Sequence, residues 1–248
     1  MSNFAVLGGR SLRLGRRNVE ALIMSVALPV MLMVVFVYLF GGALEVGQEY
    51  VTYVVPGVML LCVSFGSAMT AVSVANDLSG GIVDRLRSLD VGGAAVLSGH
   101  VTASIARNLL SSALVFGVAF AIGFRPRADA LQWLAAAGIL VLVIAAISWL
   151  SAALGLLAGS PEAAGGYTFF ITFLPYASSA FVPIDTMPAW LRGFAGHQPI
   201  TPITESLRGL LLDTPVGSAP WQAVAWCLGI CAASVIAAGV LFRNKTRG

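Results

Sequence analysis

The chain has 248 residues, of which 58% are hydrophobic and only 10% charged, with a formal net charge of +3. A soluble domain carries roughly 25% charged residues, so a mean hydropathy of +0.90 excludes both a soluble enzyme and a disordered chain. What remains is an all-α integral membrane protein, a single transmembrane domain over residues 1–248.

Residues 3–19 come first. Arg10, Arg13, Arg16 and Arg17 recur at helical spacing, with Phe4, Leu7, Leu12 and Leu14 between them. Such a segment reads as a helix lying on the cytoplasmic leaflet, where each Arg near an anionic surface gains about 1 kcal/mol. A plain basic anchor is the other reading. The chain then holds six runs without Asp, Glu, Lys or Arg: Ala21–Leu44, Tyr50–Asn76, Asn108–Phe124, Ala130–Pro161, Ala163–Ile184 and Thr214–Phe242. A spanning helix needs about 20 mostly apolar residues, so the pattern predicts six transmembrane helices. Five spans plus a re-entrant segment is the competing count, with the third and fifth runs the weakest. The third extends backwards past Arg107, because Val91–Ala106 is also uncharged. Arg107 is then expected near a membrane face. The first run is too long for the 7–15-residue apolar region of a cleaved signal and reads as an uncleaved span.

Between spans 2 and 3, residues 77–91 form a cytoplasmic segment. Gly80-Gly81 ends the preceding helix. Ile82, Val83, Leu86 and Leu89 then share one face of a short amphipathic helix, with Asp84, Arg85 and Arg87 elsewhere on it. In the fourth run, Gly155-x-x-x-Gly159 predicts a close helix approach, within the chain in preference to a dimer seam. The loop 184–220 predicts two short outer helices before the last span. One covers Met187–Ala195, with Trp190, Leu191 and Phe194 on one face. The other has Thr201 as N-cap and Pro202 at its first position. In it Ile203, Leu207, Leu210 and Leu211 form a stripe, and Glu205 is placed to pair with Arg208 at i+3. These helices either cap the bundle or also gate it, dipping into the outer leaflet or lying on it.

The basic residues Arg10, Arg13, Arg16, Arg17, Arg85, Arg87, Arg107, Arg243, Lys245 and Arg247 fall on one side of this topology. Arg125, Arg127, Arg192 and Arg208 fall on the other. The positive-inside rule therefore predicts both termini in the cytoplasm.

No catalytic constellation is visible. His100 and His197 fall on opposite sides of the membrane, and Cys62, Cys227 and Cys231 read as small packing residues. No metal-ligand spacing occurs and no cofactor site is expected. Gly239-x-x-x-x-Asn244-Lys245-Thr246 superficially resembles a phosphate-binding loop, but it lacks the second Gly and a preceding strand. The middles of the spans are expected to be free of ionisable residues. Carriers driven by protons or sodium usually place such groups there, so the energy source is expected on another polypeptide. An apolar pathway suggests a lipophilic or amphiphilic cargo. The alternative is a stand-alone carrier or lipid-handling protein without an ATPase.

Three patterns carry a resemblance. Asp77-x-x-x-Gly81-Ile82-x-Asp84-Arg85-Leu86-Arg87-Ser88 is similar to an acidic-x-x-x-Gly-x-x-acidic-x-Leu-basic signature after the second span. Phe181-Val182-Pro183 with Met187-Pro188-x-Trp190-Leu191 matches an outer-loop entry. Gln198-Pro199-Ile200-Thr201 with Glu205 and Leu207-Arg208 resembles an Asn-Pro-x-Thr…Glu-x-x-Arg stretch. In order and spacing these resemble the membrane subunit of ABC-2 type exporters, the daunorubicin-resistance permeases in particular, over nearly the whole chain. The resemblance implies a multi-pass permease in a bacterial plasma membrane that exports an antibiotic, drug or lipid-like compound. Two copies of a separate ABC ATPase would bind ATP and Mg, and a second membrane subunit, identical or homologous, would complete the transporter. No nucleic acid partner is implied. Asp77, Gly81, Asp84, Arg85, Leu86 and Arg87, with the basic helix, would couple to the ATPase. Trp190, Pro199, Thr201, Glu205 and Arg208 would form the outer gate.

Overall fold

The computed structural model describes residues 19–41, 49–80 and 93–247. Every regular element among them is helical. Helix α1 spans Val19–Val35 and passes into a single π-helical turn, Phe36–Phe40. Helices α2 (Tyr50–Ser79), α3 (Gly93–Ile122) and α4 (Ala130–Leu157) follow. Helix α5 covers Pro161–Phe173 and runs into a 3-10 turn, Leu174–Ala177. Two short helices come next, α6 (Ala189–His197) and α7 (Ile200–Leu212), and the long α8 (Ala219–Arg247) closes the chain. The basic segment up to residue 18 and residues 81–92 lie outside the described residues, and with them Arg10, Arg13, Arg16, Arg17, Gly81, Asp84, Arg85, Leu86 and Arg87, residues expected to couple to the ATPase.

Helices α2 and α4, α3 from Val96 and α8 to Asn244 are long and apolar enough to cross a bilayer. Helix α3 runs back well beyond the uncharged run 108–124, as its extension past Arg107 predicted. The fifth run behaves differently. Ser160 caps α5 by accepting from the Ala163 amide at 3.2 Å, with Pro161 in the first turn, where its missing N–H costs nothing. The α-helix stops at Phe173 and tightens into the 3-10 turn, where Pro175 has no N–H to continue the α pattern. The run 163–184 is thus a 13-residue helix, a 3-10 turn and an irregular loop, not one continuous span.

The start of α4 carries a capping box. Asp129 accepts from the Gln132 amide at 2.7 Å, and Gln132 accepts from the Asp129 amide at 2.8 Å. The Gln132 side chain also donates to Asp213 at 2.6 Å. Asp213 is the left-handed C-cap of α7, so one glutamine ties the start of α4 to the end of α7.

Helix α2 is the central strut, packed against α1, α3, α4, α5 and α7. Its apolar residues from Val54 to Val63 form the middle of the main core with Val143 and Ile144 of α4 and Ile203 and Leu211 of α7. A second core at the far end joins Val74, Leu97, Val101, Ala152, Leu156 and Ala238. At Gly155 helix α4 lies tightly against α2. A Cβ on this glycine would stand 2.5 Å from the Ala71 carbonyl oxygen. Gly155 therefore packs within the chain as predicted, while Gly159 lies beyond the end of α4 with open space around it. Helix α8 packs on α4 and leaves Trp226, Leu228, Ile236 and Val240 exposed. Such a face is the expected one where lipid is the solvent.

Candidate functional site

At the Tyr50 end of the bundle, the irregular loop 178–182 presents carbonyls without a helical or sheet partner. Arg208 of α7 collects them. Its Nη2 donates to Ser179 O at 2.8 Å and, with Nε, to Tyr53 O at 3.2 Å. The guanidinium lies 3.7 Å above the Tyr53 ring centroid. A planar cation that stacks and donates in several directions is the chemistry of Arg, not Lys. Tyr53 donates to Ser179 O and Tyr50 to Phe181 O, each at 3.0 Å. Gly57 lets the loop rest on α2, since a Cβ there would sit 2.7 Å from Ala180 Cβ.

Thr201 takes part, but not as an N-cap. Helix α7 starts two residues earlier than expected, with Pro199 as N-cap and no side-chain cap. Thr201 Oγ1 instead donates to Ala195 O at 2.6 Å and accepts from the Ser179 amide at 3.3 Å, joining α6, α7 and the loop. Pro202 falls in the first turn, whose amides have no intrahelical acceptor. Gln198 donates to Ala177 O at 3.0 Å and to Leu174 O at 3.3 Å, holding the 3-10 turn. Glu205 is exposed and makes no ion pair with Arg208, whose guanidinium is turned to the loop. The predicted Ile203, Leu207 and Leu211 stripe is buried. The Trp190 and Phe194 face of α6 points outward instead, with Trp190 79% exposed. The sequence reading missed Tyr50, Tyr53 and Ser179. The available signal was Tyr50-x-x-Tyr53 at the head of an otherwise aliphatic helix.

Beside this cluster runs a row of aromatic rings. Phe170, Phe169, Phe173, Tyr176, Phe181, Phe36 and Phe40 follow one another with centroid spacings between 4.3 and 6.3 Å. Phe170 is 72% exposed, and Phe169, Phe173 and Phe40 are open too. The row leads from α5 across the loop to α1 and offers stacking surface to a flat apolar molecule.

At the opposite end, Asp77 of α2 is joined to His100 of α3 at 3.1 Å. His100 is therefore not an isolated histidine but the partner of a predicted coupling residue. Between the two ends lies a polar seam. Asn108 donates to Ser67 at 3.1 Å and to Ser104 at 3.3 Å, and Ser104 bonds Ser148 at 2.8 Å, so α2, α3 and α4 meet through small hydroxyls. Gly66 is required there, because any Cβ on it would collide with Asn108 Oδ1. Arg107 reaches across to Gly66 O and Thr70 Oγ1, both at 3.0 Å. It stands halfway along α3, about 21 Å from the first residue. Arg107 thus lies within a helix long enough to span, about 10 Å along it from His100, and not in a loop before it. The apolar residues before it, Val96 and Leu97 among them, are core of the helix and not part of a preceding loop.

Cys227 is buried, and none of the three cysteines forms a disulfide. Among the described residues no group of His, Cys, Asp and Glu is placed to hold a metal ion.

Comparison with known proteins agrees with this architecture. The family model for ABC-2 type transporters matches residues 2–212. The chain is 30% identical over 191 residues to the daunorubicin resistance ABC transporter permease protein of Streptomyces coeruleorubidus, covering 76% of this chain and 68% of that one. It is 26% identical over 235 residues to the probable doxorubicin resistance ABC transporter permease protein of Mycobacterium tuberculosis, covering 93% of this chain and 84% of that one. Helices long enough to cross a bilayer and a match over most of the length lead to one conclusion: the chain belongs to the ABC-2 type transporter family.

Proposed function

We propose that this chain is the membrane permease subunit of an ATP-driven exporter whose cargo is a lipophilic or amphiphilic compound of the drug or antibiotic kind. The observation that carries this reading is the family match over residues 2–212, together with two relatives named as drug resistance permeases. The open row of aromatic rings supports a flat apolar cargo. ATP and Mg belong to the partner ATPase, two copies of which would serve two membrane subunits.

In this reading α1 to α5 and α8 are the six membrane segments. Helix α5 with its 3-10 turn reaches about 28 Å, close to the roughly 30 Å hydrocarbon thickness. Both termini are cytoplasmic, so Asp77 and His100 face the ATPase with the 77–91 segment. The Arg208 cluster faces outward, and α6 and α7 close the exit. Trp190, and Trp221 at 78% exposure, suit the outer interface.

The test uses inside-out vesicles from cells producing the chain with its cognate ATPase. ATP is expected to drive doxorubicin into the vesicles, followed by its fluorescence. Equal uptake with a catalytically dead ATPase overturns the reading in favour of a stand-alone carrier.

A further inference from the structure

Arg107 is a cation halfway along α3, inside an apolar bundle where an unpaired charge is costly. Its Nη2 makes both of its protein hydrogen bonds, to neutral acceptors. The buried Nε has no acceptor, and Nη1 makes no bond to the described residues. The side chain is only partly covered. No acidic residue pairs with it among the described residues. Helices α3, α4 and α8 carry no acidic residue and α2 carries only Asp77, about 10 Å further along it than Thr70. On the same face of α3, one and two turns on, Leu110 and Leu114 are 51% and 46% exposed.

We propose that Arg107, Leu110 and Leu114 form a head-and-tail site for an acidic amphiphile. The carboxylate or phosphate is held by Nη1, which is not among the buried atoms, and the apolar tail lies along the leucines. Guanidinium N–H groups match oxyanions in charge and geometry. This site goes beyond the export reading and holds an acidic amphiphile whether or not that amphiphile is the cargo.

The full chain in phosphatidylcholine nanodiscs is labelled with a diazirine-bearing dodecanoic acid or with the matching alcohol, and adducts are mapped by mass spectrometry. The acid is expected to label the Leu110–Leu114 stretch about tenfold more than the alcohol, as one charge-assisted bond would give. Arg107→Gln should reduce the acid to the level of the alcohol, and Arg107→Lys should keep most of the difference. Equal labelling by acid and alcohol, or a preference unchanged in Arg107→Gln, overturns the site. If Arg107→Gln does not fold, competition on the unaltered chain decides. Dodecyl phosphate must compete and dodecyltrimethylammonium must not, and equal competition by both overturns the proposal. Competition by phosphatidic acid built into the disc assigns the anion to a resident lipid, and its failure to compete assigns it to a delivered amphiphile. Labelling needs neither ATPase nor transport, so a chain that labels but does not export refutes the export reading alone.

Discussion

The acceptors around Arg208 explain why it leaves Glu205 alone. Tyr53, Ser179 and Ala180 each turn a carbonyl toward it, and loop carbonyls out of contact with water need a donor more than an exposed carboxylate does. Arg208→Ala is expected to lower stability by about 3 kcal/mol, since bonds to a charged donor contribute about 1.5–3 kcal/mol each and the stacking is lost as well. Arg208→Lys should recover part of it, and Tyr53→Phe should cost only about 1 kcal/mol, because the ring still stacks. Denaturant titration of the purified protein in detergent measures all three. If Tyr53→Phe proves as costly as Arg208→Ala, the hydroxyl rather than the cation holds the loop. Arg208 was visible as a candidate because it ends a Glu-x-x-Arg pattern, but its partners were not. The acceptors are backbone atoms more than 20 residues away in sequence, and backbone carbonyls carry no residue identity to read.

Among the elements, α2 and α4 meet through a glycine and small residues, and this contact divides the two glycines of the Gly155-x-x-x-Gly159 motif. Gly155→Val must push Ala71 and Val74 away, so the expected result is a loss of about 2–3 kcal/mol and a shift of the chain into the void volume in size-exclusion chromatography. Gly159→Ala meets nothing within 4 Å and should behave as the unaltered protein. Equal behaviour of the two variants would mean that the motif works between chains instead. Long elements were the easiest to read. Thirty residues of α2 end at Gly80 as its Gly80-Gly81 pair predicted, and the buried stripe of α7 has the expected spacing. The fifth run was not readable in the same way. Absence of charge marks a segment as apolar, but the length of its helix is decided by Pro175 and by the bonds Gln198 makes to the turn. The Asp129–Gln132 capping box was legible, as acid-x-x-Gln ahead of an apolar run, and went unread.

For the whole molecule, the two ends of α2 are the places where the proposed function has movement enter and leave. One end is joined to α3 through Asp77 and His100, the other to the outer loop through Tyr50, Tyr53 and Arg208. Combined charge reversal at Asp84, Arg85 and Arg87 is expected to leave membrane insertion intact and to reduce ATP-driven transport at least about tenfold, a loss equal to roughly 1.4 kcal/mol of coupling. Vesicle uptake with quantified subunit association checks this, and unchanged transport removes the 77–91 segment from the coupling path. Asp77→Ala, which removes the link to His100 and leaves residues 81–91 unaltered, should uncouple transport while subunit association is retained.

Composition alone determined the solvent of this protein. With 10% charged residues, no arrangement of the chain covers its apolar surface with polar groups, so lipid has to do so. Run lengths and basic residues, being properties of local stretches, likewise determined the number of candidate spans and their expected orientation. What only the tertiary structure decided is where scarce polar groups find one another. Arg107 reads as an edge residue when uncharged runs are counted, yet it lies at mid-helix against Gly66 and Thr70. Its depth depends on where α3 begins and its partners on how α2 packs, and both are set by contacts between residues far apart in the chain.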